Sequence, residues 1–526
     1  WWWIVLFRVV NALLLTTYFQ PDEQWQSLEV AHKWVFGYGH TTWEWDESVA
    51  LRGVLHPGAV AVFYALLKLC HVDYAWLVAY GPRCLQGVLA AVADLTVRRI
   101  ARRHWDEEVA GWALLVQLGS WFQFYCLPRT FSNSLEAVIL ALAVEAWAER
   151  GTPPRHKALI WGSFCVALRP TAAVFWLACS GHEVLGCLLS PKAHLGNRVL
   201  QMSINFLVPG LLISFATIGF STLLDSLYYG RWVLVPWNFV HFNVMQDGSA
   251  FFGQHPWHWL LSEGLLVTLG TFLPFTMVGF VCSAKRRTSP SLHSPLVGSV
   301  AQLASLCCAS HKEYRFLLSL LPLASPMTAL GLRSALSQTR WTRTVLTLVF
   351  GPQALAALFF ARVHQIGPES VMAHLRSRTL GSAGVFFLTH CHATPLHSAL
   401  HQNVPLGFLD CSPGEGHIQQ RFFAEPMPIL GQLFPQAVHL GNQSTIITNS
   451  IGRPALSCYA ERYRIVGTTL PEVFVVWATL LQKAPDVRAW LDINGYALEL
   501  EIADGIWSEG PYGVELWPEY LVFLRS

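Results

Sequence analysis

Gln20-Pro21-Asp22-Glu23-Gln24-Trp25-Gln26-Ser27-Leu28-Glu29 follows directly on an apolar run, Trp1 to Phe19, and the join between them decides what kind of protein this is. At about 1.5 Å per residue, the apolar run is long enough as a helix to cross a bilayer. The carboxylates that follow, with Trp43-Glu44-Trp45 and Arg52 further on, are therefore expected just outside a membrane. Pro21 is expected to stop the spanning helix, and Trp25, Leu28, His32, Val35 and Phe36 recur at the spacing of a new amphipathic one. Read alone, Asp22 caps that helix and its neighbours are a solvated face. The rest of the chain shifts that balance.

The 526 residues are 53% hydrophobic and only 13% charged, with 23 Trp, a composition outside the soluble globular range. A polytopic membrane protein is the expectation. The chain starts without Met and is already apolar, so a preceding, cytosolic piece is expected. The net charge of +2 is scattered through short loops, which argues against a nucleic-acid partner. The 12 Cys show no CxxC or Cys/His metal spacing.

Apolar runs that read as crossings lie near residues 1–19, 75–97, 108–128, 131–148, 171–189, 199–222, 259–282, 294–310, 314–333 and 344–361, with a shorter one at 158–168. The basic connections, Arg98 to Arg103, Arg150 to Lys157, Lys192 to Arg198, Lys285 to Arg287 and Arg333 to Arg343, belong in the cytosol by the positive-inside rule. Val54 to Leu69 is apolar but short, and crossing there would push the Arg98 cluster outside. It is read as a membrane-hugging part of one extracytosolic loop, residues 20–74, leaving about 11 crossings. Residues 1–361 then form the membrane domain. Residues 362–526 carry β-rich pieces such as Gly384 to Thr389 and Leu498 to Ile502, the pattern of a small mixed α/β domain on the extracytosolic side. Asn442-Gln443-Ser444 in that tail is a glycosylation sequon.

Parity also delivers the cysteines Cys391, Cys411 and Cys458 to an oxidising compartment. Cys391 and Cys411 each follow a β-like run, Val385 to Thr389 and Leu406 to Leu409, so neighbouring strands are expected to bring them within disulfide reach and leave Cys458 a free thiol.

The extracytosolic loops collect residues of which a purely structural membrane protein has little need: Asp22, Glu23, Trp43, Glu44, Arg52, Arg129, Asn133, Arg169, Asn238, His241, His255, Trp257, His258, His311, Lys312, Glu313 and Arg315. Guanidinium and ammonium groups suit a phosphate, carboxylates suit proton abstraction, and interleaved aromatics suit a sugar face or an isoprenoid chain. Singly, each has a plainer reading. Trp and His at helix ends form interfacial belts, Arg169 snorkels beside Pro170, and Glu313 pairs with a neighbouring cation.

The first-loop stretch Gln20 to Glu29 resembles the signature of the GT-C mannosyltransferases that use dolichyl-phosphate mannose, and His311-Lys312-Glu313-Tyr314-Arg315-Phe316 resembles that family's HKExRF motif. Thr42-Trp43-Glu44-Trp45, Arg129-Thr130, His255-Pro256-Trp257-His258-Trp259 and Cys391-His392-Ala393-Thr394-Pro395 extend the likeness to the members that build the GPI anchor. One departure is Gln20, where many relatives carry His, and the tail after about residue 415 matches least. The resemblance implies a GT-C fold and lumenal transfer, in the endoplasmic reticulum, of mannose from dolichyl-phosphate mannose to the 2-hydroxyl of the second mannose of the GPI precursor, with inversion. Residue chemistry agrees: one-step inversion needs a base on the acceptor hydroxyl, expected to be Asp22 with Glu23 as its alternate, and Arg129, Arg169, His311, Lys312 and Arg315 are candidates for holding the donor phosphate. Cations that hold a phosphate leaving group make a metal or other cofactor unnecessary, so none is expected. The rivals are a family member acting on the dolichol-linked N-glycan precursor and a transporter, against which the lack of inverted repeats argues.

Overall fold

The computed structural model describes residues 1–148, 155–189, 195–285, 292–412, 418–438 and 470–525. Asn442 and Cys458 lie outside the described residues. The chain divides into two compact units: a helical unit of Trp1–Leu13, Glu44–Gly58 and Arg83–Leu358, and a sheet unit of Leu14–Trp43, Ala59–Pro82 and Phe359–Ser526.

In the helical unit, among the described residues, five helices are long and apolar enough to cross a membrane: Pro170–Leu189, Val199–Tyr229, Leu260–Ser283, Tyr314–Leu336 and Thr342–Arg362, the last ending in the sheet unit. Glycines set how closely two segments approach. A Cβ on Gly279 would lie 1.7 Å from the Met327 carbonyl oxygen, and one on Gly331 1.9 Å from that of Phe275, so only glycine admits this backbone-to-backbone packing. Midway, Arg8 forks onto Asp94 (2.7 and 2.8 Å), both fully buried.

Among the described residues, the basic segments around Arg99, Arg155 and Arg333 gather at one end of the unit. Arg99 pairs with Glu145 at 2.6 Å, Arg333 with Asp106 and with Glu108 at 3.2 Å, and Arg155 with Glu183 at 2.7 Å. Asp106 also caps the helix Glu107–Gly119 by accepting from the Val109 N–H. Asn133 starts the helix that carries Glu145, and Arg315 opens the segment that ends near Arg333, so these candidates fall at the other end.

The sheet unit is built on a five-stranded mixed sheet of order β2-β1-β3-β7-β4, with β1 Val385–Leu388, β2 Leu406–Phe408, β3 Val473–Trp477, β4 Tyr496–Ala503 and β7 Glu519–Arg525. β1 runs parallel to β2 and β3, and β7 antiparallel to β3 and β4. Every side chain of Val473-Phe474-Val475-Val476-Trp477 is buried, as a central strand covered on both faces requires. A separate hairpin joins β5 Trp507–Gly510 to β6 Gly513–Leu516.

Two expectations need correction. The first helix is Trp2–Leu14 and ends well before Pro21, because the chain leaves it to bond with residues after 359. Thr16 N–H donates to the Ala361 carbonyl (3.1 Å), the Thr17 hydroxyl to Phe360 (2.6 Å) and Tyr18 N–H to Gln365 (2.8 Å). The boundary at 361/362 is likewise displaced, since residues 14–43 and 59–82 fold with the tail. Trp25 is 2% exposed within the hydrophobic core of the sheet, which ties the first loop to the C-terminal segment.

Candidate active site

Within the sheet unit, Pro21 opens a short helix in whose first turn Asp22 and Glu23 lie, and the cap residue Gln20 is extended. A π-helical turn, Gln24–Leu28, follows at once, a local widening frequent at functional sites, before the helix Glu29–Phe36. The two members of the acidic pair differ in exposure. Glu23 is fully buried, whereas Asp22 keeps partial exposure.

The C-terminal segment completes this cluster. The Trp25 indole N–H donates to the Thr394 carbonyl (3.1 Å), and its ring lies 4.2 Å from that of His392. The Tyr18 hydroxyl donates to the His392 carbonyl (2.7 Å). Buried Glu29 accepts from Leu396 N–H (2.8 Å), Ser398 N–H (3.0 Å) and the Ser398 hydroxyl (2.7 Å). Burial raises the Glu29 carboxyl above its ordinary value, partly offset by these bonds. Burial, and then the charges of Glu23, Glu369, Asp22 and Glu29, push the Tyr18 hydroxyl well up. His392 is lowered to about 4 by burial, opposed by Asp410 and Asp22. A disulfide joins Cys391 to Cys411, with Cα atoms 5.8 Å apart, where the parallel neighbours β1 and β2 end.

Within the helical unit, Arg315 and His311 share a carboxylate and Asn133 ties Arg315 to Arg169. Arg315 forks onto Glu313 (2.6 and 2.7 Å), and His311 Nε2 lies 2.9 Å from the same carboxylate. Burial lifts the Glu313 carboxyl, but Arg315 and then His311 more than reverse it, leaving it below the usual carboxylate range. The Asn133 amide donates to the Arg315 carbonyl (3.3 Å), while Arg169 donates to Asn133 Oδ1 (3.1 Å) and pairs with Glu136 at 3.1 Å. Buried Lys312 points its ammonium at the carbonyls of His255 (3.0 Å) and Ala309. Arg129, also buried, donates to the Tyr125 carbonyl (3.1 Å) and lies over that ring.

The other predicted residues are placed more loosely. Arg52 pairs with Glu44 at 2.5 Å, and the Asn238 amide donates to the Ala50 carbonyl (3.1 Å), so both fix the segment 44–52. His255 stacks on Trp259 (4.3 Å), and His241, His255, Trp257 and His258 are exposed. Trp43 is half-buried in the sheet unit. Sequence reasoning gave no role to Tyr18, Glu29, Glu136, His392 or Asp410. The only hints were that Glu29 and His392 lie in motif stretches.

The geometry can be set beside known proteins. The model of the Alg9-like mannosyltransferase family matches residues 1–401. "Mannosyltransferase APTG1" of Arabidopsis thaliana is 35% identical over 461 residues, 81% of this chain and 80% of that protein. "GPI alpha-1,2-mannosyltransferase 3" of Homo sapiens is 33% identical over 470 residues, 86% of this chain and 80% of its own. The Danio rerio protein of the same name is 32% identical over 523 residues, 97% and 87% respectively. Among solved structures, ArnT from Cupriavidus metallidurans bound to undecaprenyl phosphate superposes with a TM-score of 0.56 at 10% identity, covering 99% of this chain and 98% of that one. Sequence and architecture agree: this multi-pass chain has the GT-C glycosyltransferase fold and belongs to the Alg9-like mannosyltransferase family.

Proposed function

We infer that this chain is an α-1,2-mannosyltransferase of GPI-anchor biosynthesis, moving mannose from dolichyl-phosphate mannose to the 2-hydroxyl of the second mannose of the precursor glycolipid. The GPI acceptor comes from the names of the relatives, and the donor from the family resemblance of Gln20 to Glu29 and His311 to Phe316. The enzyme works in the endoplasmic reticulum membrane, with transfer on the lumenal side. The basic loops clustered around Arg99, Arg155 and Arg333 then face the cytosol.

The observation that carries the chemistry is the contrast within the acidic pair, in which Glu23 is sealed and Asp22 is accessible. Asp22 takes the proton from the acceptor hydroxyl as that oxygen attacks the anomeric carbon from the face opposite the phosphate, which inverts the β-linked donor to an α product. The C–O bond to dolichyl phosphate breaks in the same step. By their charge, and by the family resemblance of the His311 motif, Lys312, Arg129, Arg169, Arg315 and His311 are the candidates for holding the departing phosphate. Lys312 is the foremost of these, since its described contacts are carbonyls, which leave its charge unneutralised. A phosphate held in this way leaves without a metal, so the activity should survive EDTA.

The test supplies radiolabelled dolichyl-phosphate mannose to microsomes that carry this chain as their sole GPI mannosyltransferase of this step. Label should enter the GPI precursor carrying two mannoses. Label in the dolichol-linked N-glycan precursor instead would overturn the acceptor assignment.

A further inference from the structure

In the hairpin of β5 and β6, polarity runs opposite to that of a water-facing hairpin. Trp507 pairs with Leu516 and Ser508 with Glu515, so each cross-strand pair shares a face. The polar pair turns inward: Ser508 is 5% exposed, and Glu515 accepts from the Trp477 indole (2.7 Å) and from the Thr479 hydroxyl. The apolar residues turn outward, with Val514 76%, Leu516 74% and Trp517 69% exposed. Trp517 is held there with a backbone φ of +52°, which a bulky residue adopts only when its surroundings impose it.

The root of the hairpin explains what medium this face meets. Trp507 stacks on Phe359 (centroids 5.6 Å apart) and lies 4.8 Å from the His364 ring. Phe359 lies in the last turn of the membrane-spanning helix Thr342–Arg362, and Gln365, just beyond it, donates its N–H to the Asp504 carbonyl (2.8 Å). The outward face is thus held at the level where a span ends, the depth at which tryptophan concentrates in membrane proteins. Two four-residue strands offer much less than the about 800 Å² per partner of a stable protein interface, which disfavours a protein or a second copy as occupant.

We propose that the hairpin Trp507–Leu516, with Trp517, is an interfacial anchor whose Val514, Leu516 and Trp517 side chains rest in the headgroup and upper acyl region of the leaflet at the Arg362 end of that helix. Insertion to about 5–10 Å is the depth reached by amphipathic elements lying in an interface. The anchor fastens the sheet to the bilayer independently of the spanning helices and does not depend on which acceptor the enzyme uses.

The full chain in lipid nanodiscs tests this, with an environment-sensitive fluorescent amino acid at position 514 or, as control, at the exposed position of Glu501. Emission from 514 should be blue-shifted and quenched several-fold more strongly than from 501 by lipids spin-labelled near the headgroup. Leu516→Glu should reduce that quenching, and retained mannose transfer would show the variant folded. Water-like emission at 514 would overturn the proposal. So would shielding without lipid quenching, which would place a protein or a second copy on the face, or quenching unchanged by Leu516→Glu.

Discussion

The two charged clusters stabilise buried ions by different means. In the helical unit three of the candidate cations are met by a carboxylate or by carbonyls: Arg315 by Glu313, Arg169 by Glu136, Lys312 by His255 and Ala309. In the sheet unit the buried carboxylate Glu29 is met by N–H and O–H dipoles from Leu396 and Ser398, and Asp22 stands partly exposed beside this framework. Arg315 and Arg169 stay charged against their carboxylates, and Lys312, held by carbonyls alone, keeps a charge that no carboxylate offsets, which suits a phosphate. Glu29, whose partners are dipoles, has no such fixed counter-charge, and burial raises its carboxyl.

This contrast predicts unequal penalties. Glu313→Gln removes the carboxylate onto which buried Arg315 forks and should cost about 3–5 kcal/mol, read as thermal unfolding in detergent. Cys391→Ser removes a cross-link closing a sequence separation of 20 residues and should cost roughly 3 kcal/mol, read as increased proteolysis of the sheet unit. Glu29→Gln keeps an acceptor for the same donors and should cost only about 1 kcal/mol. Equal losses for Glu313→Gln and Glu29→Gln would dissolve the distinction between the clusters.

Acid should separate the units as well. Burial, first of all causes, lowers His32 and His40 to about 3 and His397 to about 4; they share a cluster with His401, Tyr38, Lys33 and Asp73. His32 Nε2 is 3.0 Å from His401 Nδ1, and His401 Nε2 lies 3.8 Å from Asp73. Below the unfolded value near 6.5, the unfolded chain binds more protons than the folded one. Stability is therefore whole above about pH 6.5 and falls below it by about 1.4 kcal/mol per pH unit for each such histidine. Melting of the sheet unit between pH 7.5 and 5 should show this slope, and His40→Gln should flatten it.

Much of this arrangement was legible because it is written locally. The basic loops, the β-rich runs and the His311 to Arg315 group are read within a few residues, and the structure keeps those neighbours together. Long-range pairings were not legible. Nothing in Trp1 to Phe19 announces that the helix ends at Leu14, because the competing partners are carbonyls some 340 residues away in the sequence. Arg8 reads as an isolated charge in an apolar run until Asp94 is seen against it. Tyr18, Glu29 and His392 were missed for the same reason: their roles come from contacts between the first loop and the tail, which no periodicity records.

The most direct test of the account compares purified Asp22→Asn and Glu23→Gln in proteoliposomes supplied with dolichyl-phosphate mannose and a GPI precursor carrying two mannoses. Asp22→Asn should fold and bind both lipids but transfer no mannose, and Glu23→Gln should retain partial turnover. Wild-type turnover by Asp22→Asn, or complete loss in Glu23→Gln alone, would contradict the assignment of Asp22 as the base.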